Sequence, residues 1–247
     1  MKLVTFGCSW TRGIGTFYHE GMTREEYRII TDTKDPESFA LQDVYSFRIL
    51  LAERLGAENI NFSQGGSSNQ KQERHAIEYF NQNSPEDTVV LWGITSLVRN
   101  EHPINGKLQN YMYSTRQHDK WPQETIDAIA YHYDHFFDEK LELVRINNMM
   151  IHWNKFFEAH KIPNLWFQTF NSYRFPEPVE RLAPRDLLTN LTHPAVRDDH
   201  MSDWKLDSHR IRKAVRDKLV NPYSLHPTVE THVKIADMLE PHLRSVL

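Results

Sequence analysis

Leu3-Val4-Thr5-Phe6-Gly7-Cys8-Ser9-Trp10 decides the architecture: a short apolar and β-branched run breaks at a glycine and hands the chain to a serine. A run of that kind suits a strand buried on both faces of a parallel sheet. Two more repeat the pattern. Glu58 to Phe62 is closed by Ser63-Gln64-Gly65-Gly66-Ser67-Ser68-Asn69, and Thr88-Val89-Val90-Leu91-Trp92-Gly93 runs on into Ile94-Thr95-Ser96. Asn164 to Phe170 is a fourth. Between them lie helical segments. Tyr45, Ile49, Ala52 and Leu55 recur at helical spacing, with Gly56 where a left-handed residue ends a helix. Gln72 to Phe80, Glu124 to His160 as one helix or two, Ser208 to Leu219 and Val229 to Leu243 complete the set. Strand alternating with helix predicts an α/β protein, a three-layer doubly wound (flavodoxin-like) parallel sheet with helices on both faces. In such a sheet the loops at the carboxyl ends of the strands build the site.

Three stretches lack this rhythm. Trp10 to Gln42 is expected to be extended loop with at most short helical turns, and residues 100–123 and 176–207 to be two long loop insertions. A chain of 247 residues then fits one domain, residues 1–247, rather than two small ones.

Composition narrows the function. Lys plus Arg number 29 against 33 Asp plus Glu, a formal charge of -4, so no positive field gathers a phosphate backbone and nucleic acid is not an expected partner. No apolar run approaches the roughly 20 residues that cross a bilayer, and the opening stretch is too short for a signal peptide, so no membrane partner and a cytoplasmic location, in a cell or a virus assembled in one, are expected. The single cysteine, Cys8, cannot form an intrachain disulfide and is expected to be a buried small hydrophobe. Gly13-Ile14-Gly15 lacks the third glycine of a dinucleotide fingerprint, since Tyr18 stands there, and no phosphate-binding G-x-x-x-x-G-K-[ST] occurs.

Doubly wound topology sets the three strand ends side by side, and Leu225-His226-Pro227-Thr228, just before the last helix, returns a histidine to the same rim. A serine at a strand-to-helix turn and a histidine on a neighbouring loop supply a nucleophile and its base. Glycines beside them let backbone N–H groups approach a developing oxyanion.

With these residues in view, the chain resembles the SGNH (GDSL-like) hydrolases. Phe6-Gly7-Cys8-Ser9-Trp10 resembles the block that opens that family, Asn61 to Asn69 is similar to its second block, and His226-Pro227-Thr228 to its last. The resemblance implies Ser9 as nucleophile, His226 as general base, and an oxyanion hole from the N–H groups of Ser9 and Gly66, helped by Asn69 or Thr95. It implies hydrolysis of carboxylic esters, including O-acetyl groups of carbohydrate, with no cofactor and no metal. An acyltransferase using the same residues, or a non-catalytic ligand- or carbohydrate-binding module on the same fold, are the alternatives.

Two positions depart from the family pattern. Thr95 stands two residues after Gly93, where an asparagine is usual, and Tyr223 stands three residues before His226, where an aspartate is usual. Losing the orienting carboxylate of a triad lowers the rate by about 10⁴, yet a residual 10³ to 10⁴ over water can survive. A backbone carbonyl, or Asp198, Asp199, Asp203 or Asp207 from the second insertion, are candidates to orient the imidazole. Arg12, Arg99 and Trp10 are candidates for substrate contact, Arg74 is expected to pair with Glu73 or Glu78, and His232 to be structural. His132, Asp134 and His135, and likewise His193, Asp198, Asp199 and His200, have ligand chemistry without a metal-binding spacing.

Overall fold

Leu3, Val4, Thr5 and Phe6 have no exposed surface, the burial that a strand covered on both faces requires. The computed structural model describes residues 1–32, 40–41, 44–104, 106–112, 121–169, 217–218, 220–224 and 226–247, except the side chains of residues 32, 109, 111 and 112. In chain order the elements are β1 (Lys2–Phe6), α1 (Ser9–Arg12), α2 (Arg24–Asp32), α3 (Phe47–Leu55), β2 (Glu58–Asn61), α4 (Asn69–Gln82), β3 (Thr88–Ile94), β4 (Arg99–Ile104), β5 (Lys107–Met112), α5 (Gln123–His135), α6 (Glu139–His160), β6 (Asn164–Gln168) and α7 (Val229–Val246).

Four of the strands form one parallel sheet in the order β2-β1-β3-β6. Successive side chains alternate between its faces. Leu3, Val89, Leu91 and Phe167 pack with α3 and α7, through Leu51, Ala236 and Leu239 among others. Val4, Phe6, Val90 and Trp92 pack with α4 and α6, through Ala76, Met150 and Phe157. Trp92 stacks on Trp166 with centroids 4.6 Å apart, and its indole N–H donates to Gln72 Oε1 at 2.8 Å, so a fully buried donor is satisfied. The three expected layers are present, and Gly56 ends α3 in the left-handed conformation.

Two expectations of plain loop are corrected. Arg24–Asp32 is a regular helix, started by a reciprocal cap in which Glu26 N donates to Thr23 Oγ1 (3.2 Å) and Thr23 N donates to Glu26 Oε2 (2.7 Å). The first insertion is an antiparallel hairpin, β4 paired with β5. It is fastened to α4 and the turn before it: Gln70 Nε2 donates to Asn100 Oδ1 (2.8 Å), Arg74 pairs with Glu101 (2.7 Å), and Ser68 N donates to Asn110 Oδ1 (3.1 Å). The expected second insertion, 176–207, and all but the end of the expected helix at 208–219 lie outside the described residues. Among the described residues no helix is long and apolar enough to cross a membrane.

Candidate active site

β1 is followed by Gly7 and β3 carries Gly93 as its last residue but one, because α1 lies directly over both. A Cβ on Gly7 would stand 2.2 Å from Thr11 Oγ1, and one on Gly93 2.6 Å from the same atom. This close approach puts Ser9, the first residue of α1, at the carboxyl edge of the sheet. The turn is closed by Arg12 N donating to Cys8 O (2.8 Å), and by Gly13 N and Ile14 N donating to Ser9 O (both 3.0 Å). Ser9 is 6% exposed, and among the described residues its hydroxyl makes no hydrogen bond. Its backbone N–H belongs to the donors that a helix start leaves without intrahelical partners.

His226 approaches from the other end of the chain. Asn221 brackets its loop, with the backbone N (2.9 Å) and Nδ2 (3.1 Å) both donating to His226 O. Thr228 then caps α7 by accepting from Thr231 N, while its hydroxyl donates to Lys218 O at 2.7 Å. This bracketed loop rests on the segment following Ser9. Gly15, at φ +98°, comes so close that a Cβ there would lie 2.7 Å from Asn221 Nδ2 and 3.0 Å from His226 Cβ. Through Gly15, the segment that follows α1 therefore touches the C-terminal loop. His226 is half-buried. Its Nδ1 meets Ser224 Oγ at 2.8 Å, and no hydrogen bond joins the ring to Ser9. Burial, and then the Arg99 guanidinium, lower its pKa to about 4 against a smaller opposing pull from the Ser224 backbone, so the ring is neutral at pH 7.

The other strand ends carry more internal structure than expected. Ser68 caps α4 by accepting from Lys71 N (3.1 Å), and Asn69, the next residue, instead clasps Thr95. Thr95 N donates to Asn69 Oδ1 (2.9 Å) and Asn69 Nδ2 donates to Thr95 O (3.1 Å). The Thr95 hydroxyl accepts from Arg99 Nη1 at 3.1 Å. Asn69 and Thr95 are 1% and 0% exposed, so both brace the rim from beneath. Gly66 is exposed and left-handed, with φ +71°. Arg99 and Trp10 are half-buried at the rim, whereas Arg12 is buried and its carbonyl accepts from Arg48 Nε at 3.1 Å.

Cys8 is fully buried with Sγ 3.9 Å from Thr169 Oγ1, and His232 is fully buried with Nδ1 accepting from Phe47 N at 3.3 Å. Arg74 pairs with Glu78, as expected, and also with Glu101. Among the described residues no three His, Cys, Asp or Glu side chains gather in a way that could hold a metal ion. His193, Asp198, Asp199, His200, Asp203 and Asp207 lie outside the described residues. Sequence reasoning missed Tyr27, Asn221 and Ser224. Asn221 before Pro222 was the available signal, since asparagine folds its own turn: Oδ1 accepts from Tyr223 N (3.2 Å) and Ser224 N (2.8 Å).

No protein-family model and no curated protein matches this chain. Solved structures do. An acetyl xylan esterase from the rumen bacterium Butyrivibrio proteoclasticus is 12% identical with a TM-score of 0.47, the match covering 99% of this chain and 63% of that one. A carbohydrate esterase family 2 enzyme with a carbohydrate binding domain, from Corynascus thermopiles, is 12% identical with a TM-score of 0.46, over 99% of this chain and 66% of that one. A psychrotrophic esterase from Pseudoalteromonas sp. is 12% identical with a TM-score of 0.42, over 99% and 97%. This chain thus spans less than two thirds of the first of them. At such identities the roles of its residues have to come from its own site.

Proposed function

We propose that the chain is a serine hydrolase of carboxylic esters, with Ser9 as nucleophile and His226 as general base. The observation that supports this reading is the seating of the bracketed His226 loop on Gly15, six residues after Ser9 in the sequence. Ser9 Oγ attacks the ester carbonyl carbon and its proton passes to His226 Nε2. The resulting oxyanion is held by the N–H groups of Ser9 and Gly66. Collapse breaks the bond to the alcohol oxygen, which leaves with the proton from His226. Water, deprotonated by the same ring, then releases the acid and restores Ser9. Asn69 and Thr95 serve by fixing the floor of the rim, and burial, with a smaller contribution from Arg99, keeps the ring neutral. The sequence resemblance makes O-acetyl groups of carbohydrate the first substrate class to test.

A non-catalytic binding module is the second reading, and the absence of a hydrogen bond between Ser9 and His226 favours it. Catalytic contacts in unliganded sites are often long and tighten on the substrate, so an assay decides. A short-chain chromogenic ester should be turned over, and a serine-directed phosphonate should label the wild-type chain on Ser9. Ser9→Ala should abolish labelling and lower kcat by at least about 10³. Turnover and labelling that both ignore Ser9 would exclude the hydrolase.

A further inference from the structure

The position three residues before His226 is Tyr223, whose hydroxyl is spent elsewhere, donating to Met22 O at 2.6 Å. The ring nitrogen that a carboxylate would hold is met instead by Ser224 Oγ, at 2.8 Å. We propose that Ser224 is the positioning residue of this site: oriented by Asn221, it accepts a hydrogen bond from His226 Nδ1–H and so leaves Nε2 as the basic nitrogen. This rests on the reading of Ser9 and His226 as nucleophile and base.

The direction of each hydrogen bond follows by elimination. Two backbone N–H groups, of Tyr223 and Ser224, point at one atom of the Asn221 side chain, and the His226 carbonyl is met by the other. The first atom is therefore Oδ1, which accepts, and the second Nδ2, which donates. Ser224 Oγ lies 3.1 Å from that Oδ1. An amide oxygen has no proton to give, so the Ser224 hydroxyl donates to it. The one proton of Ser224 is then committed, and its lone pairs accept from both other neighbours, Tyr27 Oη at 2.5 Å and His226 Nδ1 at 2.8 Å. Nδ1 then carries the hydrogen, and the Ser224 backbone, which pulls the pKa of the ring upward, acts in the same sense. A neutral imidazole has only one, so Nε2 keeps its lone pair.

A relay of this kind supplies what a carboxylate supplies by way of tautomer and ring orientation, but not its negative charge. Arg99 acts on the same ring with a positive one. The ring is thus held ready as a base, while among the described residues no carboxylate acts on it to support the imidazolium that forms when it takes the serine proton. A modest kcat with an ordinary dependence on Ser9 is the expected outcome, rather than inactivity.

The test is nitrogen NMR of the full chain with ¹⁵N-labelled histidine at pH 7, using His226→Gln to assign the signals. Wild type should show protonated Nδ1 and unprotonated Nε2 at His226. Ser224→Ala should shift the ring toward the other tautomer or a mixture, and Ser224→Thr, which keeps the hydroxyl, should restore the wild-type pattern. Tyr27→Phe removes a donor to Ser224 and leaves its acceptor in place, so the tautomer should not change; this keeps the idea testable if Ser224→Ala fails to fold. In kinetics, Ser224→Ala should lower kcat tenfold or more with KM nearly constant, within the roughly 10⁴ that loss of a full carboxylate costs. A wild-type ring protonated on Nε2, or a tautomer indifferent to Ser224, would overturn the assignment. Phosphonate labelling of Ser9 reports separately on the catalytic reading, because the tautomer is read without turnover.

Discussion

Ser9 and His226 stand out as candidates in the sequence because nucleophile and base chemistry belongs to few residue types, and strand-end position selects among them; their roles remain the proposal made above. What their neighbours do was not legible, since the partner of a side chain depends on which loops touch. The Asn69 side chain binds the backbone of Thr95, and the Arg99 guanidinium donates to the Thr95 hydroxyl, pairings that no single letter announces. The influence of Arg99 on His226 is measurable. A base works only when deprotonated, so with a pKa of about 4 the acid limb of kcat/KM should have its midpoint near that value, and the profile should be flat from pH 5 to 8. Arg99→Gln removes the nearby positive charge while burial remains. The midpoint should then move upward, toward but not reaching the ordinary histidine value of about 6.5. Profiles with a neutral ester check this, since any loss of substrate affinity lowers the whole curve and leaves its midpoint in place. A midpoint unmoved by the substitution would mean that burial alone sets the base.

At the scale of elements, the sheet strands and α3 could be read from apolar runs and helical spacing, because both report burial directly. The β4–β5 hairpin could not. In β4 only Asn100 is buried, and what fixes the hairpin is Gln70, Arg74 and Asn110 hydrogen bonding to partners far along the chain. The start of α2 was available in the spacing of Thr23 to Glu26, three residues on, but its polar surroundings hid it. The contact on which the proposed site rests, between the segment after α1 and the His226 loop, passes through Gly15. Gly15→Ala should cost about 1–3 kcal/mol for the left-handed backbone alone, and its Cβ would also press on Asn221 Nδ2 and His226 Cβ. Gly21 supplies the control, with φ +90° and nothing within 4 Å of a Cβ. Both alanine variants should lose thermal stability, but only Gly15→Ala should lose kcat, by tenfold or more, because it moves the base. Equal kcat in the two variants would show that the His226 loop does not depend on its seat.

For the molecule as a whole, the doubly wound order was legible because chain connectivity and handedness leave few arrangements of four strands alternating with helices. Its consequence for stability is that the fold buries histidines at the joint between its two ends. His226 is held at a pKa of about 4 and His232 at about 3, burial being the leading cause for both. An unfolded histidine titrates near 6.5, so between there and pH 4 the unfolded chain binds protons that the native one refuses. The native state is therefore favoured fully above pH 6.5 and loses ground as pH falls, by up to about 1.4 kcal/mol per pH unit for each of these histidines. Burial lowers His75 and His102 in the same direction, whereas the raised pKa of Glu142 opposes the trend. Against a total stability of about 5–15 kcal/mol, the pair near the site should make the protein acid-labile. Urea unfolding at pH 7.5, 6 and 5 should show this fall. His232→Asn keeps an acceptor for Phe47 N, so it should be somewhat less stable at pH 7.5 yet have a slope shallower by about one proton. An unchanged slope would show that His232 is protonated in the native state, and would locate the acid sensitivity elsewhere.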